Sequence, residues 1–170
     1  MNAAYFLNIL EGDLKPSFKI PEDAMKEIGL TYFSYGLLSQ EKHLLSYFTN
    51  KEWGLLYQKR HYNKIDPLLR GIVNSHLPLI VWDALHPFGK EKKIMVERNE
   101  VCNLKSGLTV GISNKGYTEI IAFGSEIPPQ DFYHLLRDEV YTRKIYQMIS
   151  TFYKTHKESF PLPPTTSTVV

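Results

Sequence analysis

Three side chains in the first half of the chain have the types and spacing to hold a small polar molecule. Trp53 and Tyr57 are four residues apart, so on a helix they share one face. Asp66 follows further along the chain and is itself followed by Pro67. An indole N–H can only donate a hydrogen bond, an ionised aspartate can only accept one, and a tyrosine hydroxyl can do both. Together, these side chains could satisfy the polar atoms of a buried ligand.

The same residues also fit a purely structural role. Wide aromatic side chains usually belong to a core, and Asp-Pro is a frequent helix start, with the aspartate as N-cap. Thr49 stands three residues before Glu52, which predicts a capping box at the start of the helix that carries Trp53 and Tyr57. Taken one at a time, these residues favour a packed helical hairpin, and only the complete set points to a ligand.

The complete set resembles the signature of the autoinducer-binding domain of LuxR-type quorum-sensing regulators, whose ligands are N-acyl-homoserine lactones. That signature is a Trp, a Tyr, an Asp, a Pro, a second Trp and a Gly. The matching residues are Trp53, Tyr57, Asp66, Pro67, Trp82 and Gly107. The segments 29–38 and 104–109 are similar to the family's first and fourth strands, and the resemblance extends from about residue 20 to about residue 155.

The resemblance implies a role for each of these residues. Trp53 would donate to the lactone carbonyl, Asp66 would accept the amide N–H of the ligand, and Tyr57 would donate to the acyl carbonyl. Trp82 would pack against the lactone ring, and Gly107 would let the backbone approach the ligand. The expected ligand is an N-acyl-homoserine lactone, and no other cofactor is expected.

Three departures from the family's pattern concern the acyl end of the ligand. Thr49 stands where many members have a tyrosine, and Ala122 stands where a serine or threonine often lies near the acyl carbonyl. The spacing from Asp66 to Trp82 is one residue longer than usual. Ser34, on the first predicted strand, could replace the contact that Ala122 cannot make. Ser34 and Thr49 are therefore included among the predicted ligand-binding residues.

Hydrophobic periodicity predicts the elements that must position these side chains. Helices are predicted at 3–10, 21–28, around 53–60, at 67–73, at 90–103 and, as one long helix, from 131 onward. Strands are predicted at 31–38, 43–48, 77–85, 107–113 and 119–125. Two hairpins around a helical insert predict an α+β fold with a mostly antiparallel sheet and helices on both faces. The resemblance implies the same, an α-β-α sandwich on five strands.

The composition is that of one globular domain. The chain has 170 residues, of which 43% are hydrophobic and 22% charged. A net charge of +2 is too small to indicate binding to nucleic acid or to an anionic membrane. No apolar run reaches the roughly 18 residues that span a bilayer. The single cysteine, Cys102, excludes an internal disulfide and suits a reducing cytoplasm, which is the expected location.

The last residues of the chain differ from the rest in composition. Residues 159–170 are rich in Pro and Thr and predict a linker, which leaves 1–158 as the ligand-sensing domain. LuxR-type regulators continue into a helix-turn-helix that binds DNA, and this sequence contains no recognition helix. We therefore expect either a fragment or a stand-alone domain that sequesters the signal and acts through protein partners. The resemblance also implies a homodimer that would reach DNA only through the missing helix-turn-helix.

Two other functional classes stay open at this point. An enzyme is not expected, because the six histidines lack metal-ligand spacing and no nucleophile motif surrounds Cys102 or the serines. No catalytic or metal-binding residue is predicted. A sensor of the same fold with a non-lactone ligand is the second alternative, because a shared fold does not fix the ligand.

Overall fold

The computed structural model describes residues 22–40, 44–114 and 116–156 of the chain. The strands are β1 (Tyr32–Ser39), β2 (Leu44–Phe48), β3 (Leu79–Val81), β4 (Ser106–Asn114) and β5 (Tyr117–Ser125). The helices are α1 (Glu22–Glu27), α2 (Lys51–Lys59), α3 (Pro67–Ser75), α4 (Gly89–Cys102), α5 (Pro129–Arg137) and α6 (Glu139–His156). Short 3₁₀ turns cover Tyr62–Lys64 and Trp82–Ala84.

The five strands form one antiparallel sheet in the order β2-β1-β5-β4-β3. β5 lies in the middle of the sheet and pairs with β1 on one side and with β4 on the other. In this register Ala122 of β5 lies between Ser34 of β1 and Thr109 of β4. Residues at directly opposed positions point to the same face of a sheet, so these three small side chains form one patch.

The alternation of side chains along β1 separates the two faces of the sheet. Phe33 and Tyr35 lie on one face, in a core with buried residues of α1, α5 and α6. Tyr32 lies on the other face, in a core with buried residues of α2, α3 and α4. Helices therefore cover both faces, and the predicted α+β fold, an α-β-α sandwich around a five-stranded antiparallel sheet, is confirmed.

The prediction of one long C-terminal helix is wrong. The chain leaves the helical conformation at Asp138, which has φ −77° and ψ 122°, and this residue separates α5 from α6. Its carboxylate oxygen Oδ1 accepts hydrogen bonds from the backbone N–H groups of Val140, at 2.7 Å, and Tyr141, at 3.1 Å. Asp138 is thus an N-cap that starts a new helix. Val140, in the first turn of α6, is 66% exposed.

The third strand is shorter than predicted. β3 lies at the edge of the sheet and pairs only with β4, through Leu79, Ile80 and Val81. The chain then turns into the 3₁₀ turn at Trp82, so the indole is directed by a turn and not by a strand. The other elements that can be compared agree with the predictions to within a few residues. The helix predicted at 3–10 and the linker predicted at 159–170 lie outside the described residues.

Candidate ligand-binding site

The start of α2 is fixed by Asn50 and not by Thr49. The Asn50 side chain accepts a hydrogen bond from the backbone N–H of Trp53 at 2.8 Å, as an N-cap does. Thr49 Oγ1 instead accepts from the N–H of Phe33 at 3.0 Å and donates to the carbonyl of Phe33 at 3.1 Å. The predicted capping box is therefore wrong, because Thr49 ties the end of the β1–β2 hairpin to the backbone of β1.

α2 turns its aromatic residues into the protein, as their spacing predicts. Trp53 is fully buried and Tyr57 is 7% exposed. Their ring centroids are 5.7 Å apart, and the rings meet edge to face. Burial, followed by the neighbouring charge of Asp66 and a hydrogen bond to it, raises the pKa of Tyr57 well above its usual value. The hydroxyl of Tyr57 is therefore a permanent hydrogen-bond donor beside the Asp66 carboxylate.

α3 begins with the predicted Asp-Pro pair. Asp66 is the N-cap and Pro67 occupies the first turn, and Asp66 Oδ1 accepts from the backbone N–H of Leu68 at 2.9 Å. The Asp66 residue is only 4% exposed, so its carboxylate lies inside the protein. A buried carboxylate needs a compensating charge or several donors. One backbone N–H is not sufficient, and a second partner comes from α4.

That partner is Arg98, in the middle of α4. Arg98 Nη2 donates to Asp66 Oδ2 at 2.5 Å, and both side chains are almost completely buried. Burial alone would lower the pKa of Arg98, but the Asp66 charge next to it raises that pKa above the usual value for arginine. Arg98 is therefore a charged arginine that is held inside the core beside Asp66.

The guanidinium of Arg98 lies between the two tryptophans of the chain. Its Cζ atom is 5.2 Å from the centroid of Trp53 and 5.4 Å from that of Trp82, within the range of cation–π contacts. The indole N–H of Trp82 donates to Thr109 Oγ1 at 2.9 Å. Nε1 of Trp53 and Nε of Arg98 are buried and have no hydrogen-bond partner within the described parts of the chain.

Arg98 is not among the residues predicted from the sequence. It differs from Lys92 and Lys93 of the same helix, which are exposed. The available signal was helical spacing: Arg98 stands four residues after Ile94 and four before Cys102, so it shares the apolar face of α4. A lone arginine on an apolar face is the position at which a buried partner should be sought.

A cavity lies between the sheet and helices α2, α3 and α4. Its volume is about 40 Å³, which is enough for about three water molecules. The polar residues that line it are Ser34, Tyr35, Ser46, Tyr57, Asp66, Arg98 and Thr109. The apolar wall consists of residues such as Leu44, Phe48, Leu68, Leu69, Ile120 and Ala122. Any ligand with a long acyl tail requires these apolar side chains to move apart.

The predicted ligand-binding residues fall into three groups. Ser34, Tyr57 and Asp66 line the cavity. Trp53 and Trp82 contact Arg98 and do not themselves line the cavity.

Thr49 and Gly107, the third group, lie away from the cavity in structural roles. Thr49 is bound to the backbone of Phe33. Gly107 gives space to the indole of Trp82, because a Cβ added there would collide with that ring and lie 2.7 Å from the carbonyl oxygen of Phe123. In this structure the group that lies closest to Gly107 is the indole of Trp82, and the contact of Gly107 with a ligand stays a prediction.

Within residues 22–40, 44–114 and 116–156, no group of three or more His, Cys, Asp or Glu side chains is arranged to hold a metal ion. No helix in these segments combines the length and the apolar character needed to cross a bilayer.

The fold and the site define a class of protein: an α-β-α sandwich with a small, mostly apolar cavity between sheet and helices and a few converging polar groups. An apolar wall with a few converging polar groups is typical of a small-molecule site, although this cavity is smaller than such sites usually are. A family model described as "autoinducer binding domain" matches residues 18–153. The chain therefore belongs to this family, the autoinducer-binding domains of LuxR-type quorum-sensing regulators.

Solved structures of LuxR-type proteins share the fold. CepR2 from Burkholderia cenocepacia, described as an N-acylhomoserine-lactone-dependent LuxR family transcription factor, is 17% identical with a TM-score of 0.56; the match covers 91% of this chain and 94% of that one. SdiA from Escherichia coli is 14% identical with a TM-score of 0.60, and the match covers 95% of this chain and 70% of SdiA.

SdiA in complex with octanoyl-rac-glycerol is 12% identical with a TM-score of 0.55, covering 92% of this chain and 66% of that one. No curated protein matches the sequence. At these identities the likeness of the solved structures shows the fold alone.

Proposed function

We propose that this chain is the signal-sensing domain of a LuxR-type regulator and that it binds an N-acyl-homoserine lactone between the sheet and helices α2, α3 and α4. The observation that supports this most is the buried carboxylate of Asp66, which is 4% exposed and lies on the cavity wall beside the hydroxyl of Tyr57. A charged group and a hydroxyl facing one cavity suit a ligand with a polar head and an apolar tail.

The polar atoms of the ligand have matching groups in the site. The hydroxyls of Tyr57 and Ser34 can donate to the acyl carbonyl, and Asp66 can accept the amide N–H on a lone pair that remains to it. The indole N–H of Trp53, buried without a partner among the described residues, suits the lactone carbonyl once the headgroup reaches past Arg98. Trp53 thereby keeps the role that the family resemblance implies, whereas Asp66 keeps its role only if the ligand amide reaches a carboxylate oxygen that already accepts from Leu68 or Arg98.

The acyl tail would lie against the sheet. Gly36 has no side chain to block the sheet face, and Leu44, Phe48 and Ile120 supply apolar contacts around it. The tail enters as these side chains move apart, and each CH₂ group that it buries contributes about 0.8 kcal/mol. Tail length should therefore have a large effect on affinity.

The wider role follows from the same proposal. The domain would act without catalysis, in the cytoplasm, by changing a population of conformations when the signal binds. It would form a homodimer, and its output would reach DNA through a helix-turn-helix joined to it. A domain that sequesters the signal and acts on protein partners is the alternative output.

A specific contact favours a second type of ligand. Arg98 occupies one oxygen of Asp66, so an amide N–H is less necessary than in a site with a free aspartate. SdiA, a structural relative, has been solved with octanoyl-rac-glycerol, which has an ester in place of an amide. An acylated amphiphile without a lactone ring is therefore the second candidate for this cavity.

Added acyl-homoserine lactone is expected to raise the melting temperature of the chain. A ligand that binds only the folded state at 100 times its Kd stabilises that state by about 2.7 kcal/mol, which for a domain of this size corresponds to roughly 5–10 °C. Differential scanning fluorimetry with acyl chains of four to fourteen carbons measures the shift. Unchanged melting temperatures across the whole series would contradict the proposed ligand class.

Tyr57→Phe is expected to weaken lactone binding about tenfold, because it removes one donor from the cavity. Tyr62→Phe is the matched control: Tyr62 belongs to the same aromatic cluster, but its hydroxyl donates to Glu97 at the surface. Titration of both variants and of the unchanged chain gives the three Kd values. Equal Kd values for the two variants would show that the hydroxyl of Tyr57 does not contact the ligand.

A further inference from the structure

The acceptor that a ligand amide would use is already bonded by the protein. Asp66 Oδ1 accepts from the backbone N–H of Leu68 at 2.9 Å, and Oδ2 accepts from Arg98 Nη2 at 2.5 Å. The hydroxyl of Tyr57 lies near this carboxylate, whose charge helps to raise the pKa of the phenol. A carboxylate has about four lone-pair sites, and two protein donors, one on each oxygen, leave less capacity for a donor from a ligand than a free aspartate has.

The site has a surplus of donors. Nε of Arg98 and Nε1 of Trp53 are both buried, and neither has a hydrogen-bond partner among the described residues. Nη1 of Arg98 has the thioether sulfur of Met95 at 3.1 Å, which is a weak acceptor. A buried N–H without a partner destabilises the protein, and a ligand oxygen that reaches it removes this penalty. The site therefore requires acceptors on the ligand more than donors.

Arg98 is positioned to meet such an oxygen. Its side chain is 3% exposed and forms part of the cavity wall. The indoles of Trp53 and Trp82 and the carboxylate of Asp66 hold the planar guanidinium in one orientation. A ligand would therefore meet a fixed set of N–H groups and not a mobile chain, which is the arrangement in which arginine gives geometric specificity.

The balance of charge limits the ligand to a neutral molecule. The charges of Arg98 and Asp66 cancel, so a neutral oxygen acceptor adds no net charge to the site. A carboxylate on the ligand would leave one buried negative charge without compensation, and this is strongly unfavourable.

We propose that Arg98 contacts the ligand and determines which ligand binds. It selects neutral ligands that have an oxygen acceptor at the position where an N-acyl-homoserine lactone has its amide N–H. The inference rests on the proposed function, because it concerns the ligand of the same cavity. Asp66 then holds the guanidinium in place, and the guanidinium contacts the ligand. The favoured ligands are acyl esters with an apolar tail, while acyl-homoserine lactones bind through their carbonyl oxygens.

The test uses two probes that differ at one position. N-octanoyl-homoserine lactone has the amide N–H, and α-octanoyloxy-γ-butyrolactone has an oxygen there. Each is titrated into the full chain, with tryptophan fluorescence giving Kd and the melting temperature as a second readout. We expect the ester to bind at least as tightly as the amide. If Asp66 were free to accept from the ligand, the ester would bind about 10- to 100-fold more weakly.

Arg98→Gln should reverse this preference. The shorter, neutral side chain uncovers the charge of Asp66, and the amide should then bind at least tenfold more tightly than the ester. Arg70→Gln is the matched control, since Arg70 pairs with Glu91 at the surface and its replacement should leave the ratio of the two Kd values unchanged. If Arg98→Gln does not fold, the ratio in the unchanged chain still decides the question.

The possible outcomes separate the two proposals. A tenfold or greater preference of the unchanged chain for the amide overturns the role of Arg98 and leaves the proposed function intact. A preference for the ester that persists in Arg98→Gln also overturns the role of Arg98, because another group would then select the ligand. If neither probe binds, the proposed function fails, and the inference fails with it.

Discussion

Arg98→Met is expected to destabilise the domain by about 3–5 kcal/mol. Removing one partner of a buried ion pair leaves the other as an uncompensated charge, here the carboxylate of Asp66. Because whole domains are stable by only about 5–15 kcal/mol, this is a large share of the total. Urea denaturation followed by far-UV circular dichroism measures the change in the free energy of unfolding.

Two further variants make this prediction specific. Arg70→Met removes a half-exposed arginine that pairs with Glu91, and it should cost less than about 1 kcal/mol. The double variant Asp66→Asn/Arg98→Met removes both charges and keeps an oxygen that can cap α3, so it should recover at least half of the loss. Similar costs for Arg98→Met and Arg70→Met would show that Arg98 does not compensate a buried charge.

Gly107→Ala is expected to destabilise the domain by about 2–3 kcal/mol. The added methyl group would collide with the indole of Trp82 and lie 2.7 Å from the backbone carbonyl oxygen of Phe123. Neither group can easily withdraw, since the indole is buried and the carbonyl belongs to central strand β5, and overpacking of this kind costs about 1–3 kcal/mol. The change in the free energy of unfolding is again measured with urea.

Gly36→Ala is the control for this second prediction. Gly36 is also a buried glycine of the same sheet, but the atoms nearest to an added Cβ are 3.5–3.7 Å away, which is ordinary contact. We expect a change of less than about 1 kcal/mol, because a side chain also restricts the unfolded chain. If the two substitutions have the same cost, the close packing of Trp82 on Gly107 is not what requires a glycine there.

Features that depend on neighbours in the sequence could be predicted well. Trp53 and Tyr57 at helical spacing, and the cap formed by Asp66 and Pro67, are local patterns, and the structure contains both. The alternation along β1 likewise predicts which residues face the site, since side chains of a strand point to opposite sides in turn. Ser34 was proposed from the sequence to replace the contact that Ala122 cannot make, and the structure pairs these two residues in the sheet.

Features that depend on distant residues could not be predicted in the same way. The Asp66–Arg98 pair joins residues 32 positions apart, and no spacing rule indicates which aspartate will meet a buried arginine. Thr49 was interpreted as a cap because its hydroxyl suits that role. In the structure this hydroxyl instead bonds to the backbone of Phe33, 16 residues away. Gly107 was predicted to contact the ligand. The space that it leaves for the indole of Trp82 could not be predicted, because the two residues meet only in the folded sheet.

The Asp66 carboxylate also has a consequence for how such a domain can diverge. One of its oxygens starts α3 and the other anchors α4 through Arg98, so fold and selectivity depend on the same few atoms. A change at either Asp66 or Arg98 alone leaves a buried charge without its partner. We therefore expect the two positions to be inherited and replaced together in descendants of this sequence, as one evolutionary unit.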